Sequence, residues 1–469
     1  MKVFWSLVGL LPLGLLLGAK GATAPAFVQH LRPENLGEPS FFPCVEAPQA
    51  RAARTPAPEE TEATLAQKYP GWMIVDTTPG ATNEGIPAEI LAKLSLTVSP
   101  EQLPAQPLSG NAADIAKIHA VFDRAAAHKA VVRMAVWGDS HTTGDNLPGQ
   151  LRRIFQTRYG DAGTGFVMPF GVFADSAIGR TVSCEQGWTT EWVDARPVVG
   201  LGPSGAAGTA TSPDARAWVL VEEEVRPKAK MWISVLYQKQ PEGGTLRVKI
   251  DQAEEIRLPT KGEAGPAVAE LELPMGPHRL ELAPAGDGTV RVNGVTVERQ
   301  SVAGGGIVVD ALGAPGRGYS VFKSWDLASM QQWTSWRPYD LWVIVAGSGD
   351  GRNTKLTEEE FRATLHQSLK NLRSFSPDAA CLLLGPADRG RPLDNNTVLI
   401  WGNHEMMNRV VRELGPQYGC ATFSFQELMG GLGGTFSWVR AGLMLPDYLH
   451  LTRSGYRVLG SRLAELLDP

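Results

Sequence analysis

The sequence predicts an α/β protein with an all-β segment inserted into it. Patterns of helices and buried strands alternate from residue 111 to 174, and the same pattern returns from 299 to 469. Between them, residues 175–298 consist of short alternating runs separated by turns rich in Gly and Pro. Strands that alternate with helices are typical of a parallel sheet. Closely spaced alternating strands without long helices are typical of a β-sandwich.

The first α/β part, residues 111–174, contains a buried-strand pattern between two helical patterns. Apolar residues recur at helical spacing at Ile115, Ile118, Val121 and Phe122. Val131–Trp137 is a short, mostly apolar run that suits a buried strand, and Leu147–Tyr159 has a helical pattern again. The order helix, strand, loop and helix indicates an α/β sheet.

The inserted segment, residues 175–298, has the period of strands. Leu246–Ile250 alternates strictly, and further strand candidates are Ala217–Val221, Met231–Tyr237 and Val290–Val292. Its tryptophans suggest sugar stacking, but Trp218 and Trp232 fall within predicted strands. We therefore interpret these two side chains as part of the core.

The second α/β part, residues 299–469, carries the clearest helix. It extends from Thr357 to Phe375, and Thr357 and Glu360 form a capping box at its start. Its apolar stripe consists of Phe361, Leu365, Leu369 and Leu372. His404 and Glu405 lie in an amphipathic segment and are interpreted as a solvated face. The remaining element candidates are the strands Leu341–Ala346, Cys381–Leu384 and Ala421–Phe425 and the closing helix Tyr456–Leu467.

Residues 1–24 have the layout of a secretory signal peptide. Lys2 precedes the apolar run Val3–Ala19, and Ala22–Ala24 is a plausible cleavage site. The alternative is an uncleaved membrane anchor, which the short run and Pro12 disfavour. We expect an exported protein, periplasmic or secreted, that contacts a membrane only through such an anchor. Residues 25–110 are predicted to be a Pro/Ala-rich tether followed by an N-terminal segment of unassigned structure.

Composition excludes some classes of function. The net charge of −5 over 469 residues, without clustered Lys and Arg, excludes a protein built to bind nucleic acid. The four cysteines, Cys44, Cys184, Cys381 and Cys420, allow three disulfide pairings that the sequence does not separate. They lack the close spacing of a zinc site. Cys381 and Cys420 lie in or beside strand candidates and are interpreted as small buried apolar residues.

A candidate nucleophile follows the first buried strand. Ser140 lies just beyond Val131–Trp137 and ahead of a helix. This position presents its hydroxyl at the carboxyl edge of the sheet, where open α/β sheets bind ligands. The amides at the start of the helix point toward the same place. The alternative is an ordinary turn, because Gly-Asp-Ser is common turn chemistry. Asp139 is predicted to shape this turn.

Asp447 and His450 form a candidate acid–base pair just before the closing helix. A serine hydroxyl needs a base to take its proton, and histidine suits that role at neutral pH. An acid three residues away can orient the imidazole and fix its tautomer. The alternative is that both residues only cap the last helix. Arg389, just past the strand candidate Cys381–Leu384, is a further candidate to approach the cleft.

Two short blocks resemble the SGNH (GDSL-like) hydrolase superfamily. Gly138–His141, with the sequence GDSH, resembles the first block of that superfamily, and Asp447–His450 resembles the last. Three further stretches resemble a narrower branch, the exported peptidoglycan and polysaccharide O-acetylesterases: Arg158–Val167, Met429–Gly431 and Leu451–Tyr456. The resemblance extends from about Ala112 to the C-terminus.

The resemblance implies a fold and an activity. The fold is a three-layer α/β/α (flavodoxin-like) domain with an inserted carbohydrate-binding-like β-sandwich. The activity is that of a serine hydrolase acting on ester bonds, with Ser140, His450 and Asp447 as its triad and without a metal ion or organic cofactor. The implied substrate is an acetylated carbohydrate or peptidoglycan. An O-acetyltransferase with the same triad and a non-catalytic glycan-binding protein remain alternatives.

The resemblance also implies an oxyanion hole, and here the sequence departs from the family. The Ser140 amide and a Gly amide of a second block are expected donors, with Gly316 preferred and Gly313 as runner-up. The third donor of the family is an Asn side chain, but Gly349 stands at its position. The loss of one such donor costs about a hundredfold or more in rate. Asn353 is close enough in sequence to be a substitute.

Overall fold

The computed structural model describes residues 73–170, 180–184, 187–194, 198–301, 304–353 and 355–469. The predicted signal peptide and most of the predicted tether lie outside the described residues. Over the part of the chain that is described, no helix has both the length and the apolar character needed to cross a membrane.

The strands alternate with helices at both ends of the described chain and follow one another directly in its middle. The strands are β1 (Met73–Asp76), β2 (Val131–Gly138), β3 (Gly165–Val167), β4 (Arg180–Cys184), β5 (Thr189–Trp192), β6 (Ala206–Ala210), β7 (Ala217–Val221), β8 (Lys230–Lys239), β9 (Thr245–Ile250), β10 (Ile256–Pro259), β11 (Gly265–Pro274), β12 (His278–Pro284), β13 (Val290–Arg299), β14 (Gly306–Gly313), β15 (Leu341–Val345), β16 (Ala380–Gly385), β17 (Gly390–Pro392), β18 (Thr397–Ile400) and β19 (Ala421–Ser424). The helices are α1 (Ala88–Ser95), α2 (Ala112–Ala126), α3 (Asn146–Tyr159), α4 (Leu327–Trp336), α5 (Glu358–Phe375), α6 (Asn403–Leu414), α7 (Phe425–Leu428), α8 (Gly434–Arg440) and α9 (Arg453–Leu467).

A parallel five-stranded sheet organises the α/β part. Its strand order is β14-β2-β15-β16-β19, and every neighbouring pair is parallel. Gly138 lies beside Gly313 on one side and beside Val345 on the other. Leu384 in turn lies beside Val345. The carboxyl ends of these strands are therefore level, and the loops that follow them leave from one edge. The mixed α/β class predicted from the sequence is confirmed.

Apolar residues cover both faces of this sheet. Alternate residues of β2 enter different core clusters: Val136 packs with residues of α2, α3 and α9, whereas Trp137 packs with residues of α4, α5 and α6. This follows from the alternation of side chains along a strand. The capping box of Thr357 and Glu360 is present at the start of α5, as the sequence predicts.

Two antiparallel sheets lie between the two halves of the α/β part in sequence. Their strand orders are β10-β9-β12-β7-β4 and β11-β8-β13-β6-β5, with β3 also paired to β13. They share one apolar cluster, to which Val219 and Leu280 contribute from one sheet and Val235 and Val292 from the other.

The prediction that Trp218 and Trp232 belong to the core is wrong, because both side chains are partly exposed. Their strands alternate, so the neighbours Val219 and Ile233 occupy the buried face. Trp218 Nε1 donates to Glu281 Oε2 at 2.8 Å on the outer face of its sheet.

Buried charges join the antiparallel part to the parallel sheet. Asp310 of β14 is fully buried and accepts from Arg337 Nε at 2.6 Å and from the Phe166 amide at 2.9 Å. Arg337 also donates to Glu298 of β13 at 2.5 Å. These contacts satisfy the buried charges and link β13 to β14, which come from different sheets.

A fourth sheet, of three strands, was not predicted. β1 pairs antiparallel with β18, which pairs with β17. Val75 and Ile90 of the N-terminal segment pack with Val398, Ile400 and Phe436. A four-residue strand is too short for its alternating pattern to be recognised in a mixed sequence.

Cys381 and Cys420 are buried, as predicted, but they form a disulfide instead of acting as separate small apolar side chains. The bond joins residues 39 positions apart, and the two Cα atoms are 4.5 Å apart. β16 and β19 are parallel neighbours with Leu382 beside Ala421, which brings the preceding cysteines together. The pairing depends on strand order, which the sequence alone does not specify.

Candidate active site

Ser140 lies in a tight turn at the end of β2. The buried Asp139 carboxylate accepts from the His141 amide at 3.0 Å, and the hydroxyls of Thr142 and Thr143 donate to the Asp139 carbonyl. A Cβ on Gly138 would lie 2.2 Å from the Val345 carbonyl oxygen, so the neighbouring strand excludes any side chain there. The turn is thus held by its own hydrogen bonds and by β15, and Ser140 remains partly exposed. The predicted shaping role of Asp139 agrees with these contacts.

Ser140, His450 and Asp447 form a continuous hydrogen-bonded chain. His450 Nε2 lies 2.9 Å from Ser140 Oγ, although the two residues are 310 positions apart. His450 Nδ1 lies 2.7 Å from Asp447 Oδ2. A carboxylate can only accept, so Nδ1 carries the proton and Nε2 offers its lone pair to the Ser140 hydroxyl. In this arrangement His450 can act as a base toward Ser140.

The carboxylate of Asp447 is kept ionised by its surroundings. Burial raises the pKa of Asp447, but hydrogen bonds from His450 and from the Leu449 amide outweigh it, and the pKa lies below its ordinary value. Its Oδ1 atom accepts from the amides of Leu449 and His450, both at 3.0 Å. The same carboxylate therefore orders the loop and orients the imidazole. Tyr448, between them, adopts a left-handed φ of 54°.

His141 lies close to His450 in the structure. The sequence pattern did not identify it as a candidate site residue. Its Nδ1 atom is 3.1 Å from the Tyr456 hydroxyl, and the centroids of the two imidazole rings are 6.1 Å apart. Burial lowers the pKa of His141. His141 is therefore neutral at neutral pH and places no second positive charge beside His450. The only sequence signal was its position directly after Ser140.

Gly313 and Gly316, the two candidates for the glycine amide of the oxyanion hole, lie at different places. Gly313 ends β14 directly against the Ser140 turn, where a Cβ would be 2.7 Å from Thr142 Oγ1. Ala314 N donates to the Gly138 carbonyl at 2.8 Å. Gly316 has a φ of 67°, which favours glycine, and its carbonyl accepts from Arg352 Nη2 at 2.5 Å.

Gly349 is enclosed by the backbone of Gly316 and Arg317. Its φ of −67° and ψ of −46° are accessible to any residue, so conformation does not require glycine. A Cβ here would instead lie 2.5 Å from the Arg317 carbonyl carbon and 2.8 Å from the Gly316 carbonyl oxygen. The backbone of Gly316 and Arg317 therefore fills the space that a side chain at position 349 needs.

Asn353 lies on an exposed loop beyond this turn. Its Oδ1 atom accepts from the Lys355 amide at 3.1 Å. Within the described part of the chain, no hydrogen bond connects Asn353 to Ser140 or His450. The structure thus brings Ser140, Asp447 and His450 together, and Gly316 beside Gly349, but it does not bring Asn353 to them.

Gly349→Asn is expected to destabilise the protein rather than to restore a donor. The added side chain collides with backbone atoms, and overpacking of this kind costs about 1–3 kcal/mol. Urea denaturation measures the change in the free energy of unfolding. Gly442→Asn is the matched control, because no atom lies within 4 Å of a Cβ there and Asn tolerates its positive φ. A Gly349→Asn protein as stable as the wild type and faster on an acetyl ester would contradict this expectation.

The interpretation of His404 as a solvated residue is wrong, whereas Glu405 is exposed as predicted. His404 is fully buried on the core side of α6, beside Met407. Its Nδ1 atom donates to the Ala387 carbonyl at 2.7 Å, and burial lowers its pKa to about 3. His404 is a neutral core residue that supports the loop after β16.

Comparison of the sequence with protein-family models and with curated proteins finds no match. Among solved structures, a peptidoglycan O-acetylesterase is 20% identical, with a TM-score of 0.59 over 76% of this chain and 96% of its own. A family two carbohydrate esterase from Cellvibrio japonicus is 12% identical, with a TM-score of 0.25 over 61% and 98% of the two chains. A family 2 carbohydrate esterase from Corynascus thermopiles is 10% identical, with a TM-score of 0.24 over 60% and 98%.

The first of these likenesses covers nearly all of the compared enzyme, whereas TM-scores near 0.25 do not indicate a common fold. The chain therefore shares its fold with this peptidoglycan O-acetylesterase, and the predicted resemblance to peptidoglycan O-acetylesterases is confirmed at the level of the fold.

Proposed function

We propose that this protein is a serine esterase that removes O-acetyl or similar small acyl groups from carbohydrate. The observation that carries the proposal is the hydrogen-bonded chain from Ser140 through His450 to Asp447 at the carboxyl edge of the parallel sheet. A neutral imidazole between a serine hydroxyl and an ionised carboxylate is the arrangement that activates serine for acyl transfer. The fold and the predicted export support cell-wall peptidoglycan or extracellular polysaccharide as the substrate class, in the periplasm or outside the cell.

In the first half-reaction, Ser140 Oγ attacks the carbonyl carbon of the ester while its proton moves to His450 Nε2. Asp447 stabilises the resulting imidazolium through Nδ1. The tetrahedral intermediate then collapses, and His450 returns the proton to the departing sugar oxygen. The products of this step are the free sugar hydroxyl and an acyl group bound to Ser140.

In the second half-reaction, water takes the place of the sugar oxygen. His450 removes a proton from water, the hydroxide attacks the acyl carbon, and the proton returns to Ser140 Oγ as acetate leaves. No step requires a metal ion or an organic cofactor. If a sugar hydroxyl replaced water here, the same residues would catalyse acetyl transfer.

We propose further that residues 111–174 and 299–469 form one three-layer SGNH domain into which residues 175–298 are inserted as a β-sandwich. The apolar clusters on both faces of the parallel sheet support the layers. The single cluster shared by the two antiparallel sheets supports the sandwich. Trp232, partly exposed on the outer face of its sheet, offers a ring on which a sugar can stack, whereas the Arg279 guanidinium lies over the Trp218 ring.

Incubation of the protein with O-acetylated peptidoglycan tests the function. A hydrolase releases one acetate for each ester lost, with or without an added sugar acceptor. A transferase instead forms acetylated acceptor. A folded protein that binds the glycan but releases no acetate from it, and none from activated acetyl esters, would favour the binding-protein alternative and refute the esterase.

A further inference from the structure

Arg389 is a buried cation in the loop that follows β16. Arg389 is only 8% exposed, and its Cζ atom lies 3.2 Å from the centroid of the Trp401 ring. Nη1 donates to the Ser348 carbonyl at 3.3 Å. Nε is buried and has no hydrogen-bond partner among the described residues. The guanidinium is thus held in place while part of its donor capacity is unused.

The loop of Arg389 is attached to the candidate active site. Gly390 N donates to the Tyr448 carbonyl at 2.8 Å, which ties this loop to the one that carries Asp447 and His450. The buried Asp388 carboxylate accepts from Gln426 and from the Thr435 amide, both at 3.0 Å, which anchors the other side of Arg389.

The charge of Arg389 acts on both parts of the site. Burial lowers the pKa of Arg389 to about 9, and the charges of Asp139 and Asp447 partly oppose this shift. The same guanidinium contributes to the lowered pKa of His141. At neutral pH Arg389 is therefore a cation that interacts electrostatically with both the Ser140 turn and the Asp447 loop.

The stability of the fold does not by itself explain why a buried arginine lacks an ion-pair partner among the described residues. No described carboxylate forms an ion pair with Arg389, although a buried charge without a partner is costly. The buried Arg337, by contrast, pairs with Asp310 and Glu298. An unpaired buried cation at an active-site edge is well placed to receive a negative charge that forms only during the reaction.

We propose that Arg389 is a catalytic residue of the proposed esterase, donating a hydrogen bond to the oxyanion in place of the Asn side chain absent at Gly349. The inference rests on the proposed function. Arg389 Nη1 already donates to the carbonyl of Ser348, the residue before Gly349, so the guanidinium lies beside the position of the missing Asn. Gly349 itself is closed to any side chain by the Gly316–Arg317 backbone, so the donor has to come from elsewhere.

The chemistry of the step is electrostatic. As Ser140 Oγ bonds to the acyl carbon, the electron pair of the carbonyl moves to its oxygen, and an N–H of Arg389 donates to the resulting anion. When the intermediate collapses, the carbonyl reforms and Arg389 is unchanged. A charged donor binds an anion more strongly than a neutral amide does. Stacking on Trp401 holds the guanidinium before the reaction, so little reorganisation is needed.

Arg389→Met tests the proposal with 4-nitrophenyl acetate as substrate. We expect kcat per folded site to fall by about a hundredfold or more, while KM changes by less than about threefold. Inhibition by methylboronic acid, which forms an anionic tetrahedral adduct with serine, should weaken by a similar factor. Arg389→Lys should retain part of the rate, and added guanidinium ion should partly restore Arg389→Ala.

Arg373→Met is the matched control. Arg373 is another largely buried arginine, and it donates to the carbonyls of Ala379, Tyr418 and Gly419. Its loss should lower the free energy of unfolding but leave kcat per folded site unchanged. Titration of active sites with a fluorophosphonate under saturating conditions gives the folded fraction for each variant.

Three outcomes separate the two proposals. If the wild-type protein hydrolyses the ester and Arg389→Met has the same kcat, the proposed role of Arg389 is overturned and the esterase proposal stands. A lower kcat with unchanged boronate affinity would show that Arg389 only positions the loop, and this too would overturn the proposal. A folded wild type without turnover of any acyl ester would refute the proposed function and the inference together.

Discussion

Ser140→Ala is expected to abolish hydrolysis of 4-nitrophenyl acetate, reducing kcat by at least about 10³-fold. The variant removes the only protein atom that the proposed mechanism bonds to the acyl carbon, while His450 and Asp447 remain in place. Alanine fits the Ser140 turn, because the turn is held by Asp139 and not by the Ser140 side chain. Steady-state kinetics measure the rate, and thermal unfolding checks that the fold is retained.

Ser454→Ala is the control for this experiment. Ser454 is an exposed serine at the start of α9, shortly after His450. Its variant should hydrolyse the ester at the wild-type rate. A Ser140→Ala protein that retains wild-type turnover would show that another residue is the nucleophile.

Asp447→Asn is expected to lower kcat by about 10⁴-fold, the size of the effect when the orienting Asp of another serine hydrolase is changed to Asn. An Asn side chain can donate to His450 Nδ1, which favours the tautomer with its proton on Nε2. In that tautomer Nε2 cannot accept the proton of Ser140. The variant also loses the negative charge that stabilises the imidazolium. The measurement is kcat on the same ester, corrected for the folded fraction.

Asp394→Asn provides a matched control for Asp447→Asn. Asp394 is a carboxylate that accepts from the amides of Asn396 and Thr397, much as Asp447 accepts from those of Leu449 and His450. Both variants remove a charge that orders a short loop, so their effects on stability should be similar. Only Asp447→Asn should reduce catalysis. Equal rates for both variants would contradict the orienting role of Asp447.

Much of the secondary structure could be predicted because its signals are local. The apolar run before Ser140 predicted β2 to within one residue, and the capping box at Thr357 located the start of α5. The spacing of Asp447 and His450 predicted that the two side chains could pair, since three residues of loop suffice for that contact. Each of these signals lies within a few positions along the chain.

Residues whose environment depends on distant segments were predicted less well. His404 was interpreted as exposed but is buried because α6 packs its side against the loop after β16. Trp218 was interpreted as core, but its strand presents Val219 inward instead. The hydrophobic pattern indicates that one face is buried, but it does not say which neighbour covers a given side chain.

The sequence by itself determined the turn that exposes Ser140, the acid–base spacing of Asp447 and His450, and the absence of an Asn side chain at position 349. Only the tertiary structure decided that His450 reaches Ser140 across 310 positions and that the backbone of Gly316 and Arg317 closes the space at Gly349. It also decided that Arg389 is buried beside the same edge of the sheet. The physical reason is that hydrogen bonds within a turn depend on neighbouring residues, whereas contacts at the sheet edge depend on strand order and register, which emerge only when the whole core packs.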